Sequence, residues 1–108
     1  GATFVARGDA YHVNELQKLI SRAIQHKGFS VVEVFTTCPT HFGRRNKIKN
    51  SAKLLERLKD LTVTKNQAEK LSPEERKNKL IRGVLLEEER PEYVEEYDRL
   101  TGFKEVEV

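Results

Sequence analysis

Residues 31–46 read VVEVFTTCPTHFGRRN, an apolar run that passes through two threonines into the chain's one cysteine and then straight into a proline. Val31, Val32, Val34 and Phe35 have the β-branched and aromatic content of a strand buried on both faces. Pro39 has no N–H to give a hydrogen-bond ladder, so the strand must end before it. Cys38 is therefore expected at a strand's carboxyl end. In open α/β sheets the loops of that edge converge on a ligand crevice.

Upstream, ATFVAR (residues 2–7) reads as a second short strand, and Gly8-Asp9 turns the chain. Val13, Leu16, Leu19, Ile20, Ala23 and Ile24 then recur at spacings of three and four, which predicts an amphipathic helix. Lys27-Gly28 supplies a basic last turn and a left-handed stop. Strand, helix and strand make a βαβ unit, and a right-handed crossover sets the two strands parallel. Downstream, Leu54, Leu55, Leu58 and Leu61 mark a helix over residues 51–61 with Asn50 or Ser51 as its N-cap. Residues 62–79 are polar and weakly periodic, although Ser72-Pro73-Glu74-Glu75 matches a capping box with proline at the first helical position. LIRGVLL (80–86) fits extended or helical backbone equally, and residues 91–101 read as a closing helix stopped by Gly102.

Two parallel strands are too few for an independent sheet, because parallel strands need neighbours and cover on both faces. Their exposed edge and face would favour self-association. The 108 residues hold no methionine and open on Gly-Ala-Thr-Phe-Val, so a piece of a longer protein is expected. No apolar run approaches the roughly 20 residues a membrane span requires, and no signal-peptide pattern is present. One cysteine excludes an internal disulfide framework, so a soluble chain in a reducing cytoplasm is expected.

Charge is dense but segregated. The chain has 20 Lys and Arg against 17 Asp and Glu, for a net charge of +3. Arg44, Arg45, Lys47, Lys49, Lys53, Arg57 and Lys59 face only Glu56 in residues 44–59, whereas the sequence from Glu87 onward is acidic. Aromatic residues do not interleave with the basic cluster, and no helix-turn-helix or zinc-finger spacing occurs, so no nucleic-acid partner is expected. Scattered glycines form neither a Walker loop nor a dinucleotide fingerprint.

Cys38 admits three readings: a packed apolar residue, an activated thiolate, or one ligand of a metal site completed elsewhere. His41, three residues on, is the nearest candidate base. A zinc site or iron-sulfur cluster generally takes four protein ligands, and Cys38 with His41 offers two at most. His12 and His26 fall at the start and end of the predicted helix, where structural roles suffice.

Several words combine into a wider pattern: GATFVAR, the amphipathic helix, IQHKGFSVVEVFTTCPTHFGRRN and GVLLEEERPEY. Together they resemble the carboxyl-terminal part of the β subunit of 2-oxoacid:ferredoxin oxidoreductases, most of all the 2-oxoglutarate branch. The resemblance implies a βαβ piece (residues 1–46) of a Rossmann-like thiamin-diphosphate-binding domain, with parallel strands, followed by a helical, charged carboxyl-terminal extension (47–108). It implies an enzyme that oxidatively decarboxylates a 2-oxoacid to an acyl-CoA and passes electrons through iron-sulfur chemistry to ferredoxin or a similar acceptor. Thiamin diphosphate, magnesium and a [4Fe-4S] cluster would belong to the whole enzyme. The Gly-Asp-Gly motif that holds the first two is missing here, so no catalytic or cofactor-binding residue carries over, no cofactor is expected bound to this piece, and the piece alone should be inactive. Cys38, in the word TTCPT, matches the family's last cluster cysteine. Arg44, Arg45 and Lys47 would lie near an electron exit or a contact with other subunits. The competing expectation is a non-enzymatic assembly or binding module whose basic loop grips an acidic protein or RNA.

Overall fold

A computed structural model describes residues 1–103. Strand β1 (Phe4–Asp9) leads into helix α1 (Val13–Gln25) and strand β2 (Ser30–Phe35), followed by a single π-helical turn (Pro39–Gly43). Helix α2 (Ser51–Leu61), strand β3 (Thr62–Thr64), helices α3 (Lys65–Lys70) and α4 (Pro73–Arg76), strand β4 (Leu80–Glu87) and helix α5 (Tyr93–Thr101) complete the chain. The strands form one sheet in the order β2-β1-β4-β3. β1 and β2 are parallel, from Phe4 opposite Ser30 to Asp9 opposite Phe35. The βαβ unit is therefore present as the periodicity predicts.

The missing neighbours come from the second half of the chain. LIRGVLL is extended, and β4 lies antiparallel on the free edge of β1, with β3 parallel beyond it. The parallel pair and the helical end at α5 agree with the sequence expectation, while residues 80–86, open between strand and helix in the sequence, become β4, so the sheet is mixed and residues after 46 contribute two of its strands. The physical reason is that β1 has two edges and α1 with β2 satisfies only one. The extension's last residues, 104–108, lie outside the described residues.

β1 takes the central place, and Phe4 and Ala6 are fully buried beside Leu19 of α1, with Ala23, Val32 and Val84 packed around them. β2 was expected to be buried on both faces, but it is the outer strand, and Val31 and Val34 remain about two-fifths exposed at 39% and 43%. The apolar stripe of α1 likewise divides. Leu19 is buried, whereas Val13, Ile20 and Ile24 face outward.

Local signals hold where they were strong. Asn50 Oδ1 accepts from the Ala52 N–H at 2.8 Å, and Ser72 and Glu75 form a reciprocal capping box. Gly28 has φ +128°, and a Cβ there would overlap Thr3 Oγ1, so only glycine fits between the end of α1 and β2. The Cα radius of gyration is 19.0 Å, against about 13 Å for a compact domain of this length. The chain is elongated.

Candidate functional site at the carboxyl edge of the sheet

The parallel strands β1 and β2 end side by side, at Asp9 opposite Phe35. The Ala10 N–H extends the ladder by donating to the Phe35 carbonyl at 2.9 Å. From this rim the chain runs through Thr36 and Thr37 to Cys38, which has extended backbone (φ −128°, ψ 91°) and caps the π-helical turn. Pro39 opens that turn because a first helical position needs no N–H. The Gly43 N–H closes it on the Cys38 carbonyl at 3.0 Å. Single π turns of this kind recur at functional sites.

Gly43 is buried, and a Cβ on it would stand 2.9 Å from the Ile48 carbonyl oxygen. The loop folds back over it, with the Ile48 N–H donating to the Gly43 carbonyl at 2.8 Å and Lys47 turned to φ +58°. This tight return fixes the turn against Leu54 of α2, beneath the cysteine.

The Cys38 thiol is exposed. The backbone N–H groups of His41 and Phe42, with a smaller share from Thr40, hold its pKa below the ordinary thiol value against a slight opposing effect of desolvation. The side chain makes no full capping hydrogen bond, so the amides act as a local positive field at the sulfur. His41, the candidate base, meets the thiol through its backbone. Within the described residues the thiol is not packed: it stands at a rim, facing amide dipoles.

The basic residues surround this turn. Arg44 caps its end, Arg44 and Lys47 join Pro39, Thr40 and Lys49 around an open cavity of about 540 Å³, and Arg45 is exposed. Among the described residues none of Arg44, Arg45 and Lys47 forms an ion pair. Arg57 of α2 lies over the Phe42 ring at 4.6 Å and ties the helix to the turn.

One group at this rim was misplaced by the sequence reading: Gly8-Asp9, expected to turn the chain, instead continues β1 in register with β2. Asp9 is fully buried. It accepts from the N–H groups of Tyr11 and His12 at 2.9 and 2.8 Å and from the Thr62 hydroxyl at 2.6 Å, and His12 Nδ1 lies 2.9 Å away. Burial raises its pKa, but the bonds from Thr62 and His12 outweigh that and hold it below the usual aspartate value. The network pins the end of β1 to the α2–β3 junction. An acidic residue three positions before the N-cap of a helix, His12, was the available signal.

Gly8-Asp9 does not suit thiamin diphosphate or magnesium, because a leucine of α1 packs on Gly8 and the Asp9 carboxylate is sealed and fully engaged. Cys38 suits one thiolate ligand of an iron-sulfur cluster: it is exposed, favours the thiolate and faces amides that hydrogen-bond cluster sulfur in general. Among the described residues no group of three His, Cys, Asp or Glu side chains converges on a metal position, so a cluster on Cys38 would need its other ligands from outside them. Nor is any described helix long and apolar enough to cross a membrane.

Comparison with known proteins first defines the fold. The structure superposes on a 2-oxoglutarate:ferredoxin oxidoreductase from Magnetococcus marinus, solved with 2-oxoglutarate, coenzyme A and succinyl-CoA bound, with a TM-score of 0.66 at 24% identity over 94% of this chain and 35% of that one. The mixed α/β fold is that of a domain of such an enzyme. Sequence then defines the relatives. The chain is 40% identical over 100 residues to the 2-oxoglutarate synthase subunit KorB of Methanocaldococcus jannaschii and 35% identical over 105 residues to that of Methanothermobacter marburgensis, covering 93% and 97% of this chain. It is also 51% identical over 41 residues to the β subunit of a 2-oxoacid:ferredoxin oxidoreductase from Saccharolobus solfataricus. The chain is therefore a homologue of these oxidoreductase subunits, and it spans about a third of their length, 37% and 36% of the first two. No family model matches it.

Proposed function

We propose that this chain is the carboxyl-terminal part of the β subunit of a 2-oxoglutarate:ferredoxin oxidoreductase, cytoplasmic and inactive alone, in which Cys38 is one thiolate ligand of a [4Fe-4S] cluster. The observation that carries the reading is the coincidence of similarity over more than nine-tenths of the chain with an exposed, amide-faced thiol at the sheet's ligand edge. The cluster would supply one-electron transfer between a thiamin-diphosphate- and magnesium-dependent decarboxylation of the 2-oxoacid, which yields the acyl-CoA, and the external acceptor. The chain's own part is positional. β2 and the π-helical turn fix the sulfur at a rigid strand end, Gly43 keeps the amides of His41 and Phe42 aimed at it, and those amides stabilise negative charge there.

Arg44, Arg45 and Lys47 form a positive rim beside the thiol. An acidic electron acceptor would be steered to it, with an association rate that falls as salt rises. Charge reversal at Arg44 and Arg45 should flatten that salt dependence in the complete enzyme, and an unchanged slope would remove docking from this rim.

The decisive experiment assembles the complete subunits with Cys38→Ala and measures iron, acid-labile sulfide and the visible charge-transfer absorption. Loss of about one cluster per β subunit, with 2-oxoglutarate-dependent reduction of a viologen dye falling in step, is expected. A full cluster complement in the variant would sink the ligand role.

A further inference from the structure

Two helical segments of this chain end by a similar device, and only one of them gives the left-handed position to glycine. At the end of α5 the Phe103 N–H donates to the Asp98 carbonyl at 3.1 Å, and Gly102 just before it has φ +69°. After the π-helical turn the Ile48 N–H donates to the Gly43 carbonyl at 2.8 Å and the Lys47 N–H to the Arg44 carbonyl at 3.2 Å, with Lys47 at φ +58°. That pair of bonds is the Schellman cap, whose left-handed residue is glycine by preference because a Cβ is strained there. Among the described residues Lys47 is the one non-glycine residue with positive φ. Glycine would carry this backbone at lower strain, so only the side chain distinguishes lysine favourably here.

That side chain borders the cavity of about 540 Å³ that begins at Pro39, one residue after the exposed Cys38. Arg44 and Lys49 share its rim with Lys47, Thr40 adds a hydroxyl, and Pro39 and Ile48 line it with carbon. Among the described residues no acid lines it, and none of the three cations forms an ion pair. Positive charge beside an apolar wall fits an anion on a short carbon stem, which is the chemistry of an aspartate or glutamate side chain. The exposed Arg45 carries the positive surface beyond the cavity, so the matching footprint is larger than a small anion.

We propose, resting on the reading of this rim as the electron exit, that the cavity is the anchor of the docking face: it takes one carboxylate side chain of the acidic acceptor protein. Lys47 is its principal partner, Arg44 and Lys49 flank it, and the strain at Lys47 is retained for this contact. A charge pair seated in a concavity is screened less than the surrounding rim charges. It therefore fixes where the acceptor sits, whereas Arg45 and the outer charges set how fast it arrives.

The test assembles the complete enzyme with Lys47→Gln, Lys47→Arg or Lys47→Gly and assays each with a purified acidic ferredoxin. Lys47→Gln should raise the KM for ferredoxin about tenfold, the loss of one anchor contact, with kcat nearly retained. Lys47→Arg keeps the charge and should restore most of that loss. Lys47→Gly should show the same rise in KM, while the purified 108-residue chain carrying it unfolds at a denaturant concentration equal to or above the parent's. A lysine kept for structure alone would not yield a variant that is at least as stable and docks worse. An unchanged KM in Lys47→Gln, or a Lys47→Gly chain less stable than the parent, would overturn the proposal. So would pyrophosphate binding to the chain, measured by calorimetry, that Lys47→Gln abolishes while the KM for ferredoxin stays the same, which would assign the cavity to a phosphorylated small molecule. The ligand role of Cys38 is decided separately: a full cluster complement in Cys38→Ala beside a raised KM in Lys47→Gln would sink the ligand and keep the anchor.

Discussion

Two neighbouring strands end at the same rim and meet opposite fates. At the end of β1 the Asp9 carboxylate is sealed and every lone pair direction within reach is taken up by Tyr11, His12 and Thr62. Just beyond the end of β2 the Cys38 thiol is exposed, with amides turned toward it and no partner accepting or donating a full bond. Both groups have their acidity strengthened by hydrogen-bond donors, yet only one of them closes a structure. Acidity alone therefore does not separate a framework group from a functional one. Burial and completed bonding do.

The largest effect should come from breaking the sealed end. Asp9→Ala leaves buried donors unpaired and should cost about 3 kcal/mol in denaturant unfolding, since bonds to an ionised acceptor are worth roughly 1.5–3 kcal/mol and buried orphans add to the loss. The sign with pH follows from the lowered pKa. The Asp9 contribution is fully present above the unfolded-state value near 4 and is lost as pH falls through the lower folded value, so the parent chain should weaken below about pH 4. Asp9→Asn should lack that acid limb, and an unchanged limb would transfer it to other carboxylates.

That effect would come from a residue that sequence reading took for part of a turn, whereas the strand-end position of Cys38 was legible at once. The reason is physical. A cysteine between a β-branched run and a proline declares its position through local chemistry, and so did the βαβ unit, through periodicity. Asp9 draws its meaning from Thr62, 53 positions away, and no local pattern reports that pairing. β4 was ambiguous for a related reason: the mostly apolar stretch 80–86 becomes a strand because the open edge of β1 needs donors and acceptors. The exposure of β2 was misjudged because composition reports what a strand can bury, and its place at the sheet's margin decides what it does bury.

Gly43→Ala should rank second, costing about 2 kcal/mol through the clash with the Ile48 carbonyl. It should also raise the pH midpoint of Cys38 alkylation by iodoacetamide, which in the parent chain should lie below the ordinary thiol value. An unaltered midpoint would show that the turn does not aim the amides. Thr62→Val removes one donor from Asp9 and should cost about 1–2 kcal/mol, smaller than the aspartate change because the backbone donors stay paired. Cys38→Ala should be the mildest, within about 0.5 kcal/mol in the isolated chain, as for exposed positions in general. A loss of several kcal/mol there would erase the contrast between the two strand ends.

The reversal of direction at β4 has a separate consequence. Because this strand runs back along β1, it sets about 25 Å, the length of eight extended residues, between the thiol loop and the root of α5. The thiol loop and α5 therefore stand at separate ends of one sheet, so a body seated at one rim would leave the other open.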